Sequence, residues 1–506
     1  MGTSQGARPR VNYTDEQRAA IECDAQFVVV DAKAGTGKTT TAVGIAQARP
    51  NKRILYMAFN KTAQMDAQER FGRNSNVECR TTHSLAWSAF GRLFQSRTTF
   101  NWRALDVRTE LNLPNVRAAA MVQAILTRYF QSRERDITPE HGKDAQTRFN
   151  ATDNELGEAL GNAKTLWRRM QDRGDTVRMP HDAYLKMWAL SNPRLDYDYL
   201  LCDEWQDANP VTAQVVEMQR QSKVIILGDP HQSIYAFRGA VNAMDQFAGA
   251  HRIYLTNTWR FGPKVAHVAN LVLSEFKHDQ HLIKAMGTDA PYANGAPVTK
   301  LARTNAQLFA DAILVRGAGV HWVGGIEKYE LDKILDAYYL FAGQRERIGD
   351  PFLRHFATFG ELTSYGEQAK DREAKVLTEI VEKYTHDIPS LITEVKANEV
   401  KDPAQAQLRL TTAHKAKGLE WDYVQLADDF DILGETEALL ASDPAAEIEE
   451  QEINLLYVAV TRAMKQLALN EDTRKWLQQL PAHQRARAQA AARARAKQNP
   501  SMYALP

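Results

Sequence analysis

Two short stretches hold residues whose types and spacing could do phosphate chemistry. In "FVVVDAKAGTGKTTTAVGIAQA", Gly35 and Gly37 precede Lys38 and Thr39. Glycines let a loop curl until its amide N–H groups face an anion, and a helix starting at once adds favourable potential. Ala32, Lys33, Ala34, Gly35, Thr36, Gly37, Lys38, Thr39 and Thr40 are therefore candidates to cradle a nucleotide. Lys38 would reach the β/γ-phosphates and the Thr39 hydroxyl would ligate Mg²⁺. Ala32 stands where the phosphate-loop pattern has its first glycine, so the match is to a relaxed form. In "YLLCDEWQDANP", Asp203, Glu204 and Asp207 fall within five positions. A charged surface turn is the bland alternative for these acids. A phosphate loop elsewhere in the chain favours chemistry, because one acid can hold Mg²⁺ while the next takes a proton from the attacking water. Gln206 and Asp207 then read as links to neighbouring motifs, with Trp205 packed between them.

The elements that must position these residues are short apolar runs, each followed by a polar turn: "QFVVVDA" at 26–32, "RILYMAF" at 53–59, "YLLCDE" at 199–204, "KVIILGD" at 223–229, "RIYLT" at 252–256 and "YVQLAD" at 423–428. Runs this rich in Val, Ile and Leu suit buried parallel strands joined by helical crossovers, so the expected class is α/β. Between about 85 and 195 the strand signal fades, and "VRAAAMVQAILTRYFQSRERD" and "ELGEALGNAKTLWRRMQDR" show apolar residues at helical spacing. A second helix-rich stretch runs from about 326 to 406. Both read as insertions. The tail "PAHQRARAQAAARARAKQNP" carries Arg485, Arg487, Arg493, Arg495 and Lys497 with no acid, which suits a basic helix on nucleic acid or a solvated, frayed terminus.

A chain of 506 residues exceeds one hydrophobic core, so two or more domains are expected. The 63 basic and 62 acidic residues leave a net charge of +1, which names no partner. Cys23, Cys79 and Cys202 lie far apart without a CxxC pair, arguing against a disulfide framework and a cysteine-based metal site. No apolar run has the length of a membrane span, and the N-terminus lacks a signal-peptide core. The expected location is cytoplasmic: nucleoid-associated in a bacterium or phage, nuclear in a eukaryote.

"AKAGTGKTT", "CDEWQDANP", "LGDPHQSIYAFRGA", "LTNTWRFGP", "TTAHKAKGLEWD" and "LYVAVTRA" resemble, in this order, the ATP-binding and coupling motifs of superfamily 1 helicases of the UvrD/Rep type. "YTDEQRAAI" resembles the adenine-reading Q motif of that family, "AFNKTA" and "TTHSLA" its first two DNA-contacting motifs, and "LARTNAQ" a segment of its second motor domain. "EINLLYVAVTRA" and the compact length resemble the branch with F-box DNA helicases and small phage or bacterial relatives. The resemblance implies two RecA-like parallel-sheet motor domains, each interrupted by a mostly helical insertion. Motor domain 1A would comprise 1–84 and 196–253, with insertion 1B at 85–195. Motor domain 2A would comprise 254–325 and 407–475, with a short insertion 2B at 326–406 and a basic tail at 476–506.

By the same resemblance, Gln17 would read adenine and Trp259 would stack on it, in place of a more usual tyrosine. Asp203 would hold Mg²⁺ with Thr39, Glu204 would activate water, and Gln232 would sense the γ-phosphate. Arg260 and Arg462 would clamp the developing charge, and Glu420 would contact ribose. A motor on a strand of any sequence needs aromatic faces for bases and polar groups for phosphates. Phe59, Tyr235 and Phe237 are the aromatic candidates; Asn60, Lys61, Thr82, His83, Arg238, Thr412 and His414 are the polar ones. Phe237 stands where the family often has tryptophan, and His83 and His414 could equally be structural.

The implied cofactors are ATP and Mg²⁺, and the implied partner is single-stranded DNA with its single/double-strand junctions. RNA ranks below DNA, and protein partners could use the short insertion or the basic tail. The expected activity is ATP-dependent unwinding with 3′-to-5′ movement, in replication, repair or recombination. The alternatives are a translocase that strips proteins with little unwinding and a scaffold that has lost hydrolysis.

Overall fold

The computed structural model describes residues 12–481, apart from 73–75, 101, 236–242, 248, 316, 318, 431 and 444–448. Phe237, Arg238 and the tail arginines therefore lie outside the described residues. The chain divides into two units at Trp259/Arg260.

The first unit is built on six strands: β1 (Phe27–Ala32), β2 (Ile54–Ala58), β3 (Val77–Thr81), β4 (Tyr199–Cys202), β5 (Lys223–Gly228) and β6 (His251–Leu255). They form one parallel sheet in the order β3-β2-β4-β5-β1-β6. Alternation along β1 explains the layers. Val29 faces one apolar cluster, while Val28, Val30 and Ala32 face another. On the second face pack α1 (Asp15–Glu22), α2 (Lys38–Gln47) and α3 (Lys61–Phe71), through Ala20, Ile45 and Phe71. On the first face lie α4 (Thr82–Ala89), α7 (His181–Leu190) and α8 (Pro210–Glu217), through Ala86, Trp188 and Val215. Because all six strands are parallel, their C-terminal ends share one edge, where ligands of open α/β sheets bind.

Two sequence-drawn boundaries move. The line at 253/254 cuts through β6, whose Val28↔His251 to Ala32↔Leu255 register ties it to β1. The end of the first insertion at 195 places α7 outside the motor core, yet Tyr184, Leu185 and Trp188 are buried among the sheet's own core residues. Periodicity marks a helix but not the surface it covers. The insertion proper holds α5 (Val116–Gln131) and α6 (Asp153–Gln171), packed through Tyr129, Phe130 and Trp167 with ring centroids 5.5 Å apart at both contacts to Trp167. It is tied to the core by a fork from Arg133 to both Glu217 oxygens, each 2.7 Å, and by the buried Lys186 ammonium on the carbonyls of Ser132 and Glu134.

The second unit carries a five-stranded parallel sheet: β7 (Val298–Ala302), β8 (Val320–Trp322), β9 (Leu408–Thr412), β10 (Trp421–Leu426) and β11 (Ala463–Ala468), in the order β8-β9-β7-β10-β11. Four helices between Leu331 and Ala397 separate β8 from β9. The apolar-run reading passed over β3, β7, β8, β9 and β11. β3, β8 and β11 are edge strands, and "VECRT" and "AMKQLA" each keep side chains toward solvent, whereas β7 "VTKLA" and β9 "LRLTT" are interior strands whose apolar run is broken by Thr299, Lys300, Arg409, Thr411 and Thr412. Among the described residues no helix is long and apolar enough to cross a membrane.

Candidate functional site

At the end of β1 the chain turns through Gly35 and Gly37, with φ of 75° and 85°, into α2 at Lys38. Gly37 is the helix N-cap and supplies no side-chain acceptor, so the helix presents amide donors as an anion site requires. The positive φ of Gly37 disfavours a side chain there, and a Cβ would come within 2.8 Å of Gln17 Nε2, so the Gln17 amide would have to shift. Gln17 is buried and clasps the loop: its Nε2 donates to Thr36 O at 3.2 Å and its Oε1 accepts from Thr14 N at 3.1 Å. An amide has a second N–H and a second lone pair, so this clasp leaves capacity for a base. Thr39 and Thr40 follow Lys38 in the first turn of α2, half-buried. Lys33 turns away: its buried ammonium pairs with Asp31 Oδ1 at 3.1 Å. Ala32 and Ala34 are buried backbone of the same loop.

The acids that follow β4 meet this loop. Lys38 Nζ lies 3.0 Å from Glu204 Oε1. Burial opposes the lysine charge, but Glu204, then Asp203 and Asp229, outweigh it and hold the pKa above the ordinary value. Asp203 is pushed above the usual carboxylate range by burial and then by the charge of Glu204, against the pull of Lys38 and a hydrogen bond from the Tyr56 hydroxyl. Glu204 has a φ of 51°, a left-handed backbone that a non-glycine residue adopts only where its surroundings impose it. Its Oε2 accepts from Gln206 Nε2 at 2.5 Å. The Gln206 Oε1 in turn accepts from Asp229 N at 3.2 Å, and Gln232 Nε2 donates to Asp229 Oδ2 at 2.8 Å. The fully buried Gln206 thus joins Glu204 to the turn that holds Gln232. Trp205 is buried in the core, as its place between the acids suggested.

Among the described residues no group of three or more His, Cys, Asp or Glu side chains could hold a metal ion alone. A carboxylate at Asp203 and a hydroxyl at Thr39 instead suit Mg²⁺, which keeps waters and phosphate oxygens among its ligands.

Along the same edge, Phe59 after β2 and Tyr235 after β5 stack on each other, with centroids 5.2 Å apart and planes 18° apart. Asn60 caps α3, accepting from Ala63 N at 2.8 Å, with Lys61 exposed beside it. Thr82 opens α4, and His83 Nε2 lies 2.9 Å from Asp182 Oδ1 on α7. Trp259, at the end of this unit, keeps 49% of its surface exposed.

In the second unit, Arg260 Nε donates to Glu420 Oε2 at 2.7 Å and its Nη1 to Thr461 O at 3.3 Å. Arg462 is 1% exposed; its Nε, Nη1 and Nη2 donate to Val458 O, Leu419 O and Thr461 Oγ1 at 3.0, 3.1 and 3.3 Å. Thr412 caps the turn that carries His414, accepting from Lys415 N at 3.4 Å. Sequence reasoning missed Tyr56, which it read only as part of an apolar strand. The available signal was a phenol in a run of otherwise non-hydrogen-bonding side chains.

Residues 13–248 match the UvrD/REP helicase N-terminal domain, and residues 353–472 match the UvrD-like helicase C-terminal domain. The chain belongs to the UvrD/Rep helicase family. Its two parallel sheets are accordingly RecA-like domains. It is 33% identical over 505 residues to F-box DNA helicase 1 of Gallus gallus, across 91% of this chain and 49% of that protein. It is 30% identical over 515 residues to F-box DNA helicase protein 1 of Schizosaccharomyces pombe, across 91% of this chain and 58% of the relative. To the ATP-dependent DNA helicase UvrD2 of Mycobacterium tuberculosis it is 27% identical, across 54% of this chain and 47% of that protein. The chain thus spans about half the length of these UvrD/Rep relatives.

Proposed function

We propose that this UvrD/Rep family chain is an ATP-driven DNA helicase that moves 3′-to-5′ on single-stranded DNA and acts in replication, repair or recombination. The observation that carries the reading is the connected run Lys38–Glu204–Gln206–Asp229–Gln232 at one sheet edge, with the Phe59–Tyr235 stack following two of the same strands. The phosphate loop and α2 bind the nucleotide, with Gln17 and Trp259 on the base. Asp203 and Thr39 would hold Mg²⁺, and the ion would supply charge neutralisation at the phosphates. Lys38 leaves Glu204 for phosphate oxygens. Glu204, released from that ion pair but still oriented by Gln206, takes the proton of the attacking water. Gln232 senses the γ-phosphate, Arg260 and Arg462 stabilise the charge that develops, and Glu420 releases Arg260 to contact ribose.

Gln232 and Tyr235 lie three residues apart, so a shift of this turn on hydrolysis reaches the stacked pair directly. Tyr235 and Phe59 hold bases, while Asn60, Lys61, Thr82, His83, Thr412 and His414 follow the phosphates, with Phe237 and Arg238 assigned to the same track. The test is unwinding of duplexes with 3′ or 5′ tails by the native chain and by Glu204→Gln. The expected result is ATP-dependent unwinding of the 3′-tailed duplex, lost in the variant while nucleotide binding persists. Equal unwinding by the variant would overturn the role of Glu204. DNA-stimulated hydrolysis without strand separation would replace the helicase by a translocase.

A further inference from the structure

We propose that Tyr56 is a positioning residue for the Mg²⁺ site, holding the Asp203 carboxylate in the orientation from which it ligates the ion. The inference rests on the reading of Asp203 as a Mg²⁺ ligand. Tyr56 lies within β2, paired with Leu201 of β4, and is 1% exposed. Its ring is fixed edge-on to Phe71 of α3, with centroids 5.2 Å apart, inside the apolar cluster on that face of the sheet. The slot would accept phenylalanine equally well, so packing alone does not call for the hydroxyl. That hydroxyl donates to Asp203 Oδ2, while Asp203 Oδ1 accepts from Glu204 N at 3.0 Å. Each carboxylate oxygen thus has a donor from rigid structure, and the plane of the group is set.

The need for such a hold is electrostatic. Asp203 and Glu204 are adjacent acids competing for one ammonium, and Lys38 pairs with Glu204 at 3.0 Å. An untethered Asp203 would turn toward Lys38, which would place its oxygens on the lysine and not on a metal. A phenol is ordinarily protonated at neutral pH, so the Tyr56 hydroxyl is available to donate to Asp203. Groups that hydrogen-bond a ligating carboxylate orient it and tune its affinity for the metal.

The experiment measures binding of a fluorescent N-methylanthraniloyl-ADP to the full chain, first in EDTA and then across a Mg²⁺ titration, for the native protein, Tyr56→Phe, Asp203→Asn and the double variant. Turnover is not involved. Tyr56→Phe is expected to leave affinity in EDTA unchanged and to raise the Mg²⁺ concentration for half-maximal tightening by about 10- to 100-fold. Asp203→Asn is expected to remove the Mg²⁺-dependent tightening, and the double variant to behave like Asp203→Asn alone. A Tyr56→Phe titration that overlays the native one, or a loss of affinity already present in EDTA, overturns the inference. Retention of Mg²⁺-dependent tightening by Asp203→Asn overturns the underlying reading of Asp203 instead.

Discussion

The two units of the chain keep their charged motif residues in different ways. In the first, Lys38 and Glu204 pair with side chains left 14% and 25% exposed, at the mouth of a glycine loop whose helix supplies further donors. Their partners, Gln206 and Asp229, lie behind them in the core. In the second, Arg462 is buried against two carbonyls and a hydroxyl, and Arg260 is held by Glu420. The first unit therefore leaves its ion pair within reach of solvent beside the glycine loop. The second stores its cations on its own backbone and on one acid. One unit is poised by exposure, the other by the exchange of partners.

That contrast can be broken by substitution. Arg260→Ala removes a cation held by the half-exposed Glu420 and the Thr461 carbonyl, so it should fold normally yet lower ATP turnover by about 10³-fold or more. Steady-state hydrolysis with DNA present measures this, and unchanged turnover would remove Arg260 from the chemistry. Glu204→Gln should lower turnover by about 10²- to 10⁴-fold while nucleotide affinity is kept, as binding and single-turnover assays would show. Arg462→Ala sharpens the comparison, because it should cost stability as well as rate. It removes a donor from the Leu419 carbonyl and the Thr461 hydroxyl, and one of the donors to the Val458 carbonyl, worth about 3 kcal/mol in denaturant unfolding. A variant of native stability would show that the arginine is not stored as described. The smallest effect belongs to Arg133→Ala, which breaks the fork to Glu217 that ties the first insertion to the core. Both side chains are partly exposed, so screening limits the loss to about 1 kcal/mol, with DNA-independent hydrolysis unchanged.

Much of this was legible before folding was considered. Central strands such as "QFVVVDA" and "KVIILGD" are buried on both faces, which forces a continuous apolar run that stands out in any reading. The glycine loop and the Asp203–Glu204 pair stood out because their residue types fall at short, fixed spacing, and the Lys38–Glu204 contact brings the two together. Edge strands β3, β8 and β11 were not, being short or facing solvent on one side, and nor were the interior strands β7 and β9, whose threonines, Lys300 and Arg409 break the apolar run. The helix α7 shows the same limit. Its segment fell inside the stretch read as an insertion, but whether it covers the sheet or the insertion depends on residues distant in sequence.

The sequence by itself determined the class of fold, the phosphate loop and the identities of the acids, because each is encoded within a dozen or so neighbouring residues. Only the tertiary structure decided which of these residues touch. Gln206 reaches Asp229 across 23 positions, Phe59 stacks on Tyr235, and Tyr56 donates to Asp203 across 147. Strand order brings these groups together: β2, β4 and β5 are neighbours in the sheet but far apart in the chain. Contacts of that kind depend on parallel strands ending at one edge, and local spacing carries no record of them.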